Sequence, residues 1–311
     1  MENVFLPVIA GPTASGKTAL AIALSKAHGG EVISADSMQI YRDLHIATAR
    51  PLPEEWEGIR HHLLGFWPLS EPFSVAEYAR LAHAAIADTV SRGQQPILCG
   101  GTGLYIRAVT ENLQFAEEPP GDRTVRARLR ERAETEGAAA LLRELAEIDP
   151  ETAARLHEND VGRIVRALEL YAVTGRTLTE QNRLSRALPS PYRVRMLVLD
   201  VRDRRWLYDR IDRRVETMVE AGLVEEARQA LAASDAPTAR QAIGCKELAP
   251  YFAGQIPLSE AVENIQRQTR RYAKRQLSWF RGETQAVRLY ADDYADEQAL
   301  AAAADALLFA R

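Results

Sequence analysis

An α/β fold, a parallel sheet carrying helices on both faces with an all-helical domain inserted into it, is the class that the sequence predicts. Three observations predict it. Apolar runs rich in β-branched residues recur at 4–10, 31–35, 96–99, 194–201 and 286–290, with helical patterns between several of them. From about 115 to 190 the chain changes to Arg/Glu/Ala/Leu-rich helical patterns with no convincing strand. The first run leads directly into Gly11, Pro12, Thr13, Ala14, Ser15, Gly16, Lys17 and Thr18, which fill every fixed position of G-x-x-x-x-G-K-[ST]. A strand, this loop and an Ala/Leu-rich helix over 18–27 mark the sheet as a P-loop NTPase-like core.

Each element carries its own expectation. The loop glycines let backbone N–H groups curl around phosphate oxygens at a positive helix terminus. Lys17 adds a point charge, and the Thr18 hydroxyl is suited to Mg²⁺. The chain therefore binds a phosphorylated molecule. The second run ends at Asp36, followed by Ser37, Met38 and Gln39. Ligands of open α/β sheets sit outside the carboxyl ends of the strands, so Asp36 should face the phosphate loop. It suits a metal-linked carboxylate or a general base, and equally an N-cap. The third run opens onto Gly100-Gly-Thr102-Gly-Leu-Tyr105. Its glycines imply a backbone that something approaches closely, or simply a tight strand–helix turn.

Pro119-Pro-Gly121 punctuates entry to the helical insertion and Leu188-Pro-Ser-Pro191 its exit. The expected division is 1–114 with 191–311 as catalytic core, and 115–190 as the insertion. Arg204, Arg205, Arg210, Arg213 and Arg214 open a helix expected to run to about Ala230. Arg210 and Arg214 share a face. They suit a diphosphate clamp, although Asp209, Asp212 and Glu216 are equally placed to pair with them. A final strand and an Ala-rich helix close the chain.

The 311 residues exceed one comfortable core, and 46% hydrophobic content allows a real one. No apolar run reaches the roughly 20 residues of a membrane span, and the N-terminus lacks the pattern of a signal peptide. Cys99 and Cys245 are isolated, so neither a disulfide framework nor a zinc site is indicated. A reduced, cytoplasmic protein without membrane association is the expectation. A net charge of −4 argues against nucleic acid, but local stripes set the field that a polyanion meets. Arg267, Arg270, Arg271, Lys274, Arg275 and Arg281 crowd one segment, and Arg123, Arg126, Arg128, Arg130 and Arg132 another. Either cluster alone also suits a solvated helix face. No N-K-x-D element for guanine is present, and nothing marks a small-molecule-kinase lid.

Five segments, taken in order, identify a resemblance. GPTASGKT (11–18), ADSMQIYRDLHIATARP (35–51), GGTGLY (100–105), QAIGCKEL (241–248) and RRYAKRQLSWFR (270–281) resemble the bacterial tRNA dimethylallyltransferases. The phosphate loop alone is generic, whereas DSMQIYRDL joined to YAKRQ-x-x-WFR is highly specific. The resemblance implies transfer of a dimethylallyl group from dimethylallyl diphosphate to N6 of the adenosine 3′ of the anticodon, in tRNAs reading codons that begin with U. It implies that the loop from Gly11 to Thr18 holds an isoprenoid diphosphate rather than ATP, with Mg²⁺ at Thr18. Asp36 is then the general base, and Lys17 and Arg214 balance the departing pyrophosphate. It further implies contacts to the tRNA anticodon stem-loop from Asp36, Ser37, Met38, Gln39, Thr102 and Arg126. Others fall on Arg163 and Arg166, and on Gln241, Ala242, Ile243, Gly244, Cys245 and Lys246. Arg270, Arg271, Lys274 and Arg275 would add phosphate contacts, and a monomer is expected.

Two positions depart from the family pattern. Gly162 stands where the family commonly has Gln, and Cys245 where it usually has Tyr. No Cys/His zinc module follows the core. Rival readings are prenyl transfer to free AMP or ADP, an ATP-dependent small-molecule kinase, and a non-catalytic RNA-binding protein. The inserted domain and the 267–281 stripe argue against the first, since a free nucleotide needs no such surface.

Overall fold

The computed structural model describes residues 3–115, 123–233 and 241–310, so Pro119-Pro-Gly121 lies outside the described residues. Two compact units emerge: Met1–Thr110 with Pro191–Arg311, and Glu111–Ser190.

The first unit is built on a six-stranded sheet: β1 (Val4–Ala10), β2 (Gly30–Ser34), β3 (His61–His62), β4 (Gln95–Gly100), β5 (Tyr192–Asp200) and β6 (Val287–Tyr290). The order is β3-β2-β4-β1-β5-β6 and every pairing is parallel. The five expected runs are five of the six strands. β3 has no apolar run to announce it: two histidines at the edge form it by pairing with Val32 and Ile33.

Alternation along the strands divides the core. Leu6, Val8, Ala10, Ile33, Leu98 and Val198 face one side, packed on Tyr78, Ala82 and Ile86 of α2 (Val75–Ser91). Tyr105, Ile106 and Val109 complete that layer, from α3 (Gly103–Thr110). Ile9, Val32, Ile97, Leu197 and Leu199 face the other side, packed on Leu20, Ala21 and Leu24 of α1 (Lys17–His28). Leu300, Ala304 and Leu308 join them from the closing helix, Glu297–Phe309.

A third cluster has no sheet in it. Ile40, Tyr41, Leu44 and Leu69 pack with Val215, Leu223, Ala227, Cys245, Leu248, Ala261 and Ile265. These come from α9 (Arg204–Glu220), α10 (Leu223–Ala232), α11 (Cys245–Phe252) and α12 (Leu258–Arg281). The single helix expected from Arg204 to about Ala230 is two. It breaks at Gly222, whose φ of 103° suits glycine and turns the chain back.

The unit Glu111–Ser190 holds five helices among its described residues: α4 (Arg123–Thr135), α5 (Ala138–Ile148), α6 (Pro150–Ala153), α7 (Val161–Thr174) and α8 (Leu178–Ser185). Leu129, Leu141, Leu145, Ile164, Val165 and Leu168 form its own core. Buried Asp149 ties two of the helices together: it caps Thr152 (3.1 Å) and accepts from the Thr179 backbone N–H (2.9 Å) and hydroxyl (2.6 Å).

Candidate active site

The carboxyl ends of β1, β2 and β4 carry the three loops that the sequence singles out. After β1, Gly11 crosses so close to β5 that a Cβ there would lie 2.6 Å from the Leu199 carbonyl oxygen. Gly16 then caps α1 with a φ of 94°, leaving the helix N-terminus open towards a phosphate. Within the loop, the Ser15 hydroxyl donates to the Pro12 carbonyl (2.9 Å), as does the Lys17 ammonium (2.5 Å). Burial, helped by the Arg214 guanidinium, pulls Lys17 down to about 8 against the opposing pull of Asp36.

Both arginines of the suggested clamp reach this loop from α9. Arg214 donates to the Thr13 hydroxyl (3.3 Å) and Arg210 to the Ala14 carbonyl (2.9 Å). Neither forms an ion pair with Asp209, Asp212 or Glu216 among the described residues; Asp212 pairs with Arg270 instead.

After β2, Asp36 caps a turn rather than a helix. Its Oδ1 accepts from Met38 N–H (2.9 Å) and Gln39 N–H (3.4 Å). After β4, Thr102 Oγ1 accepts from Ser37 N–H (3.0 Å) and donates to the Ser37 hydroxyl (3.2 Å). The crowding that the GGTG glycines imply comes from the protein itself. A Cβ on Gly100 would meet the Ala35 carbonyl at 2.2 Å, on Gly101 the Gln276 amide at 2.2 Å, and on Gly103 the Trp279 indole nitrogen at 1.9 Å.

Gln276 is the residue that sequence reasoning missed. Buried on α12, it accepts from Thr13 N–H (2.8 Å) and donates to the Gly101 carbonyl (3.0 Å), joining the phosphate loop to the GGTG turn. A signal was present: Ala273, Leu277 and Phe280 form the buried face of this helix, and Gln276 is a polar residue on it. Glu226 was missed as well, and accepts three backbone N–H groups of the 45–47 segment at 2.8 Å each.

A cavity of about 330 Å³ lies among these loops and helices. Thr13, Lys17, Thr18, Asp36, Arg214 and Gln276 form its polar wall, and Ile211, Val215, Met218, Leu223 and Ile265 its apolar wall. Ser37, Met38, Gln39, Tyr272 and Arg275 also line it, as do Gln241, Ala242, Ile243, Gly244 and Lys246.

Several residues expected at RNA are enclosed or already have partners within the protein. Cys245 is fully buried beside Leu223 and Leu248, so no RNA contact is open to it. Ala242 is almost as enclosed and serves as pocket wall. Arg126 forks onto buried Glu169 (2.7 Å), and Arg166 reaches the same carboxylate (3.2 Å). Burial opposes ionisation of Glu169, but the two guanidiniums hold its carboxyl below the usual range. Arg163 is exposed, and a Cβ on neighbouring Gly162 would meet open space, so nothing local demands glycine there. Arg270 is engaged by Asp212, while Arg271, Lys274 and Arg275 are exposed and have no carboxylate partner among the described residues.

A phosphate loop, a carboxylate and an apolar recess in one cavity define a P-loop-type transferase. The model of the IPP transferase family matches residues 39–283, and the chain belongs to that family. It is 49% identical over 278 residues to the tRNA dimethylallyltransferase of Geobacter sulfurreducens, covering 89% of this chain and 88% of that one. The enzyme of the same name from Geobacillus thermodenitrificans is 48% identical over 278 residues, covering 89% and 87%. The crystal structure of the full-length tRNA isopentenylpyrophosphate transferase from Bacillus halodurans superimposes with a TM-score of 0.71 at 39% identity, covering 98% of this chain and 96% of that one. A eukaryotic dimethylallyltransferase acting on tRNA gives 0.80 at 30% identity, covering 97% and 79%.

Proposed function

We propose that this protein is a tRNA dimethylallyltransferase, using dimethylallyl diphosphate to prenylate N6 of the adenosine 3′ of the anticodon. One observation carries the reading: the Lys17 ammonium, the Arg214 guanidinium and the Asp36 carboxylate share a cavity with a hydrocarbon recess. A nucleoside triphosphate would place a polar sugar beyond its phosphates, whereas an isoprenoid diphosphate places five carbons there. Ile211, Val215, Met218, Leu223 and Ile265 suit the second. The names of the relatives support tRNA as the acceptor.

The adenine amine is a poor nucleophile because its lone pair is delocalised into the ring. As N6 bonds to C1 of the allylic chain, the C1–O bond breaks and the electron pair leaves with pyrophosphate. Asp36 takes the N6 proton. Its Oδ1 is held by the Met38 and Gln39 N–H groups, which leaves Oδ2 for that proton. Lys17, Arg214 and the loop N–H groups balance the charge gathering on the leaving group. The target base must leave its stack to enter the cavity, so flanking nucleotides need a grip. Arg271, Lys274 and Arg275 are exposed cations suited to that grip.

Mg²⁺ fits the donors present. Thr18 is exposed at the cavity, Asp36 lines it too, and no cluster of three or more His, Cys, Asp or Glu side chains forms a metal cage among the described residues. A single hydroxyl with substrate phosphates and water is the kind of shell that Mg²⁺ accepts. Bound there, it would neutralise diphosphate charge.

Incubation with labelled dimethylallyl diphosphate and, separately, tRNA, AMP, or ATP with sugars tests the reading. Label should enter tRNA only, without ATP consumption. Transfer to AMP, or ATP hydrolysis coupled to product, would overturn it.

A further inference from the structure

We infer that Glu226 is a positioning residue: through the 44–50 turn it aims Arg214 at the diphosphate and Gln39 at the acceptor side of the cavity. The inference rests on the function proposed above.

Glu226 lies in the first turn of α10, which Gly222 directs back towards the 44–50 segment. Its Oε2 accepts from His45 N–H and Ile46 N–H, and its Oε1 from Ala47 N–H, all at 2.8 Å. Three successive backbone N–H groups converging on one anion form a nest. Charge-assisted bonds of this kind are about twice as strong as neutral ones. Other holds on the turn are neutral or lie at its ends. The Thr48 hydroxyl donates to the Leu44 carbonyl (2.7 Å), Ala49 N–H to the Ile46 carbonyl (2.9 Å) and Arg50 N–H to the His45 carbonyl (3.1 Å). The Arg50 guanidinium reaches the Tyr41 carbonyl (3.0 Å), and Leu44, Ile46 and Ala47 pack on the helical core. Ala49 itself adopts a left-handed φ of 47°, a strained geometry for a residue with a Cβ. Without the carboxylate, three adjacent donors would lose their partner just before that strained residue.

What the turn presents explains why that matters. The Ala49 carbonyl accepts from Arg214 (3.3 Å), whose other arm reaches Thr13 in the phosphate loop. The Thr48 and Ala49 carbonyls both accept from the Gln39 amide at 3.2 Å, three residues from Asp36. Ala47, Thr48 and Ala49 line the cavity directly. Glu226 is thus one step removed from both substrates and touches neither.

Glu226→Gln removes the charge and turns an amide N–H towards one of the backbone donors. We expect kcat/KM for dimethylallyl diphosphate to fall about tenfold or more, with KM rising, and the affinity for inorganic pyrophosphate to fall in parallel. Coupling to Arg214→Lys separates positioning from mere stability. If Glu226 acts through Arg214, the double variant should lose clearly less than the product of the two single losses. Glu226→Asp keeps the charge but withdraws it by one methylene; it should show an intermediate loss, and it serves if the Gln variant does not fold. Glu225→Gln, on the exposed side of the same turn, should match the wild type. Losses that multiply independently, or a folded Glu226 variant with wild-type pyrophosphate affinity, would overturn the inference. Pyrophosphate binding does not depend on the reaction, so wild-type protein that binds it without prenylating tRNA would overturn the function and leave this test standing.

Discussion

Asp36 Oδ1 is committed to the N–H groups of Met38 and Gln39, so the turn-capping role and the chemical role fall on different oxygens of one carboxylate. Asp36→Asn keeps the capping oxygen, and Asn and Asp are near-equal caps, so the melting temperature should change little. A neutral amide cannot accept the amine proton, and loss of a general base costs about 10²–10⁴-fold. A single-turnover rate within a few-fold of wild type would return Asp36 to a structural role. Lys17 gives a second expectation. Held near 8 in the free protein, it is charged below that pH and loses its proton above it. With the diphosphate bound, the negative charge beside it would favour the charged ammonium and restore a higher value. The kcat/KM for dimethylallyl diphosphate should therefore fall as pH rises through about 8, while kcat holds to higher pH. Lys17→Ala should abolish that limb and lower turnover by about 10² or more. A kcat/KM flat between pH 7 and 9 would show that Lys17 is not needed in its charged form.

At the scale of the element, α12 explains why its segment carries so many cations and which of them are free to act. Ala273, Gln276, Leu277 and Phe280 form the buried face, and the charges fall on what remains. Arg270 is engaged by Asp212 of α9, a partner 58 positions away in sequence. Changing Arg271, Lys274 and Arg275 together to Ala should weaken tRNA binding and reduce the log–log salt slope by up to about three. Changing Arg270 alone should shift the slope much less and loosen the contact with α9. An unchanged slope in the triple variant would mark this face as simply solvated. Gln276 shows the same helix from inside, where one amide joins the loops after β1 and β4.

For the whole molecule, acid stability depends on the edge of the sheet. Glu31 on β2 is buried, and Arg92 at the end of α2 and His62 on β3 both bond to it (2.7 Å each). The Arg92 guanidinium, with His62, outweighs burial and holds the carboxyl near 2 rather than 4.5. A depressed carboxyl contributes stability above its unfolded value and loses it as the pH falls towards its folded one. The contribution is on the order of 3 kcal/mol. It should be complete above pH 4.5 and fade towards pH 2. Glu31→Gln should therefore lower the melting temperature at neutral pH, with the gap from wild type narrowing below pH 4.5. A gap independent of pH would assign the loss to packing.

The sequence by itself determined the parallel sheet, the phosphate loop and the family, because these are written in local signals. Strand runs such as 4–10 and 96–99 announce themselves by β-branched residues, and the loop by residues at fixed spacing. It determined that Asp36 follows a strand, but left its role open between cap and base. Only the tertiary structure gave Gln276 and Glu226 their tasks; it buried Cys245 and paired Arg126, Arg166 and Arg270 with carboxylates. The physical reason is that a side chain's role depends on which donors and charges fold against it. Gln276 and Thr13 are 263 positions apart, and Glu226 and Ala47 are 179. No pattern within a helix or a loop encodes contacts of that separation; the folded chain alone brings them to hydrogen-bonding distance.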